Sequence, residues 1–252
     1  MEDHYDIEEK FVGALALLHP RFFSIQSDCS PQQAIDQDID SFSEFLAAGR
    51  QSSVLRAWQN QKCIVVTQLQ ARHPNFELAA DMSLQSGWPV VVRRSGGSAV
   101  VHRPGVLNVS LQIGCSDRTS WKGPAASYEA LLSLLKNACG ILGVATSAGR
   151  AISAYCDGSS NLLFDGKKFA GTSAIIRQTK SRISQLVHAS ITIQGDVNAD
   201  IAAVSAFERA LGMEARYRAD AMTSLEAAFA VCKSTINRLG FYTELENTCV
   251  EL

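Results

Sequence analysis

Apolar residues recur along this chain in two rhythms, and the places where one gives way to the other outline its elements. Ile35, Ile39, Phe42 and Phe45/Leu46 follow Ser30-Pro31 at helical spacing. That spacing predicts an amphipathic helix over 31–48, with Ser30 as N-cap and proline at the first helical position. Tyr128, Leu131, Leu132, Leu135, Cys139 and Leu142 form a second stripe, which predicts a helix over 126–142 with Cys139 in the core. Shorter helices are expected over 75–86, ended by Gly87, and over 199–211. A last helix is expected over 222–239, where Leu225, Phe229, Cys232, Ile236 and Leu239 share one side. The first twenty-nine residues have mixed character, and only short strand or coil is expected there.

Between the helices the rhythm shortens to period two. Strands are expected over 54–58 and 62–69, joined by the polar Gln59-Asn60-Gln61 turn, and over 90–93 and 99–102 around Gly96-Gly97. Over 106–113, Leu107, Val109, Leu111 and Ile113 face one way and belong to the core. Asn108, Ser110 and Gln112 face the other way, toward water or a site. Further strands are expected over 161–178 and 185–194, the latter with Val187, Ala189, Ile191 and Ile193 on its apolar face and Leu186, His188, Ser190 and Thr192 opposite. Several strands follow one another without intervening helices. This favours an α/β (α+β) fold whose mixed, largely antiparallel sheet is flanked by helices. With no repeat and no long linker, residues 1–252 read as a single domain with its core over about 30–230.

Composition narrows the possible functions. The 252 residues are 46% hydrophobic and 19% charged, with a net charge of −2. This balance argues against a nucleic-acid binder or a basic membrane-surface protein. No apolar run approaches the roughly 20 residues that span a bilayer. The start, Met1-Glu2-Asp3-His4-Tyr5-Asp6, lacks the basic and apolar regions of a signal peptide, so a cytoplasmic protein is expected. Seven cysteines with no C-x-x-C pair fit neither a disulfide framework nor a metal site, and are expected to be free thiols.

Two stretches carry candidate chemistry. Residues 93–110 join two arginines, a Gly-Gly turn and His102 to a β-run, delivering cations and backbone N–H groups to one place. Arg93 and Arg94 lie on opposite faces of a regular strand, so at most one enters a site. In the second stretch, Asp165-Gly166 is a hairpin signal. Lys167 and Lys168 then point to opposite faces, and Gly171 marks a bulge or a close approach. Gly166-Lys167 is not a phosphate-binding loop, because Asn161 stands where the first glycine is needed.

Together the two stretches resemble the lipoate-protein ligase and octanoyltransferase family. Its R-x-x-G-G stretch stands here as Arg94-Ser95-Gly96-Gly97, its H-x-x-G-x-L-N as His102 through Asn108, and its G-x-K-[ILF]-[AS]-G as Gly166 through Gly171. The register makes Lys168 the family lysine. Ser98 replaces the third glycine usual in the ATP-dependent ligases, and Cys156 stands twelve residues before Lys168. Both features look closest to the branch that transfers octanoyl groups from the glycine cleavage H protein. The resemblance implies the biotin/lipoate protein ligase catalytic-domain fold without a C-terminal accessory domain. It also implies acyl transfer through a thioester on Cys156, with no cofactor beyond the octanoyl or lipoyl substrate and no metal.

Breaking an amide without ATP suits such a thiol, which splits one hard step into two. A nearby cation would raise its thiolate fraction, with Lys168 the first candidate and Arg94 the second. Backbone N–H groups around Gly96-Gly97 or Gly171-Thr172 would receive the carbonyl oxygen. Arg94, Ser95, Gly96, Gly97, His102, Asn108, Gly171 and Thr172 form the expected substrate-binding set. Implied partners are lipoyl-domain proteins (the glycine cleavage H protein and the E2 subunits of 2-oxoacid dehydrogenases) or acyl carrier protein. Two alternatives remain: an ATP-dependent lipoate-protein ligase, and a non-catalytic member that only binds.

Overall fold

A computed structural model of the protein describes residues 7–25, 29–49, 52–115, 122–178 and 182–238. In chain order the elements are α1 (Ile7–Leu18), β1 (Phe22–Ile25), α2 (Pro31–Ala47), β2 (Val54–Gln59), β3 (Cys63–Thr67), α3 (Gln68–Ala71), α4 (Phe76–Gln85), β4 (Val90–Arg93), β5 (Val100–His102), β6 (Val106–Cys115), α5 (Pro124–Ile141), β7 (Ser147–Gly149), β8 (Asn161–Phe164), β9 (Lys167–Gln178), β10 (Ile183–Thr192), α6 (Val197–Ala210) and α7 (Leu225–Arg238). Seven strands form one sheet in the order β1-β2-β6-β10-β9-β8-β7, and three form another in the order β4-β3-β5. The large sheet is antiparallel except for β1–β2, and the small one pairs β3 parallel to β4 and antiparallel to β5. The expected mixed architecture is the observed one.

The alternation on β6 and β10 positions everything else. Their register sets Leu107 opposite Ile191, Val109 opposite Ala189 and Leu111 opposite Val187. This apolar face packs with Leu131, Leu135 and Cys139 of α5 into the larger core. The same register pairs Asn108 with Ser190 and Ser110 with His188 on the other face. That face is covered, not solvated, so its polar groups need partners inside the protein. Ser110 Oγ donates to Asp38 Oδ2 at 2.8 Å and accepts from Trp58 Nε1 at 3.2 Å. Arg56 bridges Asp38 at 2.8 Å, and Gln112 Nε2 donates to Ser41 Oγ at 2.9 Å. Through Asp38 and Ser41, α2 is laid across the polar face. Gln32 on the same helix exchanges two hydrogen bonds with the Val92 backbone and so occupies the free edge of β4.

Two expectations need correcting. Residues 7–18 are helix, not coil, because Ile7, Phe11, Ala14 and Leu15 recur on one side and are buried against the α5 layer. The strand expected over 62–69 ends at Thr67, which caps α3 through Gln70, and the short segment at Asn60 sends β2 and β3 into different sheets. Asn60 Nδ2 donates to Pro31 O at 3.1 Å and its Oδ1 accepts from Gln61 N–H at 2.9 Å, which fixes the divergence. In α7, Leu225 and Ala228 are buried and Phe229 and Cys232 pack against them. The side chain of Ile236, and Leu239 altogether, lie outside what the structure describes.

Candidate active site

Where the polar face of the large sheet meets α2 and the small sheet, a cleft opens with about 830 Å³ free of protein atoms, part of it continuous with solvent. Ile35, Ile39, Trp58, Val65, Phe169 and Ile175 give it apolar walls, while Arg93, Ser95, His102, Asn108, Cys156, Lys168 and His188 gather polar atoms along it. The buried Asn108 Nδ2 has no partner among the described residues.

Cys156 sits in the loop between β7 and β8 with φ at +47°, a left-handed conformation uncommon for a residue with a Cβ. Its surroundings enforce this. Asp157 Oδ1 accepts from Ala151 N–H at 2.8 Å and from Asn161 Nδ2 at 2.9 Å, while its Oδ2 receives Arg150. Lys168 Nζ donates to the carbonyls of Tyr155 and Cys156 at 2.8 and 2.6 Å. The hairpin makes that reach possible. Asp165 and Gly166 both take positive φ in the turn, so Lys168 points inward, only 3% exposed, and Lys167 outward. The Lys168 side chain then lies over Gly171, where a Cβ would stand 3.0 Å from Nζ and 3.1 Å from Cε. Gly171 is a close approach, as its position in a strand suggested. Thr172 Oγ1 donates to Ser160 O at 2.6 Å and ties β9 to the same loop.

The thiol faces the turn between β4 and β5. Ser98 N–H donates to Cys156 Sγ at 3.3 Å, and Arg93 Nη2 lies 3.9 Å from it. The same Nη2 donates to Gly96 O at 3.0 Å and Ser98 O at 2.8 Å, so the guanidinium shapes the turn it occupies. Gly97, at φ +104°, has no room for a side chain. A Cβ there would stand 2.9 Å from Arg93 Nη2 and 2.9 Å from Sγ. Burial works against ionisation of the thiol. The charge of Arg93, then that of Lys168 and the Ser98 N–H, outweighs it, and Cys156 is held below the usual thiol range. Burial in turn lowers Lys168 to about 8 despite the neighbouring thiol and Asp157. The buried thiols Cys63 and Cys139, with no such cations, are pushed up to about 12.

Arg94, expected to enter the site, is exposed at the cleft's edge, and the buried arginine against the thiol is Arg93. Lys168 is therefore the second cation in influence and Arg93 the first. Among the described residues the backbone N–H that reaches Sγ belongs to Ser98, not to Gly171 or Thr172. His102 Nδ1 meets Asn60 Nδ2 at 3.3 Å, its ring edge-on to Trp58, and Ser95 Oγ meets His188 Nε2 at 3.1 Å. Burial first, and then Arg93, lowers both imidazoles to about 3, so both are neutral. Sequence reasoning missed Arg93 and Ser98. The run Val90-Val91-Val92 has no alternation from which the parity of Arg93 could be read.

A family model described as the lipoyl protein ligase A/B catalytic domain matches residues 33–238. An octanoyl-[GcvH]:protein N-octanoyltransferase of Geobacillus kaustophilus is 31% identical over 174 residues, which cover 69% of this chain and 59% of that protein. A lipoyl-[GcvH]:protein N-lipoyltransferase of Listeria monocytogenes is 29% identical over 71% of this chain and 59% of its own length. The chain thus spans little more than half the length of such curated relatives. The crystal structure of lipoate-protein ligase A bound with ATP superposes with a TM-score of 0.56 at 16% identity, covering 86% of this chain and 94% of that one, and shares its fold.

Proposed function

The chain belongs to the lipoyl protein ligase A/B catalytic-domain family, and from that premise we propose that it is an acyltransferase of protein lipoylation working through a thioester on Cys156. One observation carries the reading. A thiol held by Ser98 N–H at 3.3 Å, beside the Arg93 guanidinium and the Lys168 ammonium, opens onto an apolar-walled cleft. The names of the Geobacillus and Listeria relatives support an octanoyl or lipoyl group carried by the glycine cleavage H protein.

The chemistry follows from the geometry. The thiolate adds to the amide carbonyl carbon of an acyl-lysine donor. Its oxygen gains negative charge, and the 96–98 turn offers backbone N–H groups and Arg93 to meet it. The intermediate collapses with loss of the donor lysine amine. That leaving group takes a proton from Lys168, whose burial-lowered pKa near 8 suits it to give and regain one near neutrality. The neutral amine of an acceptor lysine then attacks the thioester, the thiolate leaves, and the proton passes back to Lys168. One amide is broken and one is formed, so the balance needs neither ATP nor a metal. Arg93 remains charged throughout. Ser95, His102, Asn108 and His188 line the cleft as neutral polar groups, with the unpartnered Asn108 amide free to receive the acyl carbonyl. Gly97 and Gly171 make room for the thiol and for Lys168.

The acceptors are lipoyl domains such as those of E2 subunits, and acyl carrier protein is the alternative donor. The setting is cytoplasmic. The test mixes protein, octanoylated H protein and an unmodified lipoyl domain without ATP. Acylation of the acceptor that Cys156→Ala abolishes is expected. Acylation that requires ATP and survives Cys156→Ala would establish a ligase instead.

A further inference from the structure

Of the three non-glycine residues with left-handed backbone among the described residues, two share the loop that carries the thiol, Ser153 at φ +71° and Cys156 at φ +47°. The third, Asp165, sits in a hairpin turn, where that conformation is ordinary. Ser153 and Cys156 lie in the longer connection from β7 to β8. A residue with a Cβ keeps such backbone only where its surroundings over-determine it. What surrounds this pair is therefore informative.

Most of the holding falls to one carboxylate oxygen that has no role in the chemistry above. Asp157 Oδ1 accepts from Ala151 N–H at 2.8 Å and from Asn161 Nδ2 at 2.9 Å. The first bond closes the chain over residues 151–157 into a ring, and both left-handed residues fall inside it. The second ties that ring to the start of β8, and the same Nδ2 donates to Gly158 O at 2.6 Å. Asn161 is only 1% exposed, so water does not compete for these bonds. Arg150 meets Oδ2 from the other side at 2.9 Å, but its side chain is 68% exposed, and so open an ion pair adds little. From outside the ring, Arg218 N–H donates to Ser153 O at 2.9 Å. None of Arg150, Asp157 and Asn161 lines the cleft.

We propose that Asp157 is the positioning residue of the thiol: through Ala151 N–H and Asn161 it locks Cys156 in the left-handed conformation that aims Sγ at Ser98 and Arg93 and the Cys156 carbonyl at Lys168. The inference rests on the reading of Cys156 as the acylated thiol, but its test does not require acyl transfer. Cys156 is held at both of its polar ends. Its Sγ accepts from Ser98 N–H at 3.3 Å, and its carbonyl accepts from Lys168 Nζ at 2.6 Å. One backbone conformation therefore joins the thiol to the turn and the loop to the cation. With the ring opened, Cys156 relaxes toward ordinary backbone, and the thiolate loses its donor and its cations together.

The sign separates position from charge. The charged and titratable groups around the thiol are Arg93 from β4, Lys168 from β9, Tyr155 and Asp157 from its own loop, and Tyr217, whose ring meets Tyr155 edge-on. Removing the Asp157 charge without moving anything would lower the thiol pKa. Releasing the loop raises it. The experiment follows the rate of Cys156 alkylation by iodoacetamide against pH, with modification at Cys156 read by peptide mass. It compares wild type, Asp157→Ala, Asp157→Asn and Asn161→Ala, each checked by circular dichroism. Asp157→Ala is expected to raise the alkylation midpoint by roughly one pH unit. Asp157→Asn keeps an oxygen for Ala151 N–H and Asn161, so its midpoint stays at or below that of wild type. Asn161→Ala loses the tie to β8 but keeps the ring, and shifts the midpoint upward by less than Asp157→Ala. An unchanged or lowered midpoint in folded Asp157→Ala, or an equal rise in Asp157→Asn, overturns the proposal. Should Asp157→Ala fail to fold, an unchanged midpoint in Asn161→Ala overturns it. A protein that shows these shifts but never forms an acyl adduct loses the acyltransferase reading and keeps this one. One that forms the adduct while its midpoint is unmoved in every variant keeps that reading and loses this one.

Discussion

Gly97 has no space for a methyl group, because the thiol of Cys156 and the guanidinium of Arg93 already fill it. Gly97→Ala is therefore expected to leave the circular dichroism spectrum unchanged and to slow Cys156 acylation by at least roughly tenfold, since a small misplacement of a reacting atom is expensive. The two arginines make a second comparison. Arg93→Met should raise the alkylation midpoint of Cys156 by about one unit, and Arg94→Met should leave that midpoint in place, because only Arg93 approaches the sulfur. Equal shifts in both variants would contradict the assignment. Cys156 and Lys168 were legible in the sequence because a motif spaces them. Arg93 was not, since three valines before it give no alternation. Ser98 acts through its backbone N–H, which every residue but proline has and no sequence signal marks.

Among the elements, the strands were read well where one face is apolar and the other polar. β6 and β10 kept the alternation, and the polar face became the site because α2 covers it. α1 was missed although Ile7, Phe11, Ala14 and Leu15 have helical spacing, since the segment also carries apolar residues outside that stripe, such as Leu17. Its contribution can be measured. Phe11 is fully buried in the core shared with α5, so Phe11→Ala should cost about 3–5 kcal/mol and lower Tm clearly. A Tm within a degree of wild type would mean that α1 does not pack there. The divergence of β2 and β3 was beyond the sequence, because it depends on Asn60 meeting Pro31 and His102, residues that are distant in the chain.

The molecule as a whole places its cleft where the polar face of the large sheet meets α2 and the small sheet, and the burial this requires has a consequence in acid. His102 titrates near 3 when folded, chiefly through desolvation, against 6.5 for the unfolded residue. Between those values the unfolded chain binds the extra proton, so stability is fully present above about pH 6.5 and declines as pH falls toward 3. His102→Gln should therefore lose less Tm than wild type between pH 7 and pH 5. Equal losses would show that His102 is not held neutral. The family could be read from motif order alone, whereas the joining of turn, lysine and cysteine into one cleft needed the folded chain. The most direct measurement is the intact mass of the protein after incubation with octanoylated H protein in the absence of ATP. One hydroxylamine-labile octanoyl adduct, mapped to Cys156 and lost in Cys156→Ala, is the predicted result. No adduct with either an octanoylated H protein or an octanoylated acyl carrier protein, or an adduct that persists in Cys156→Ala, would contradict it.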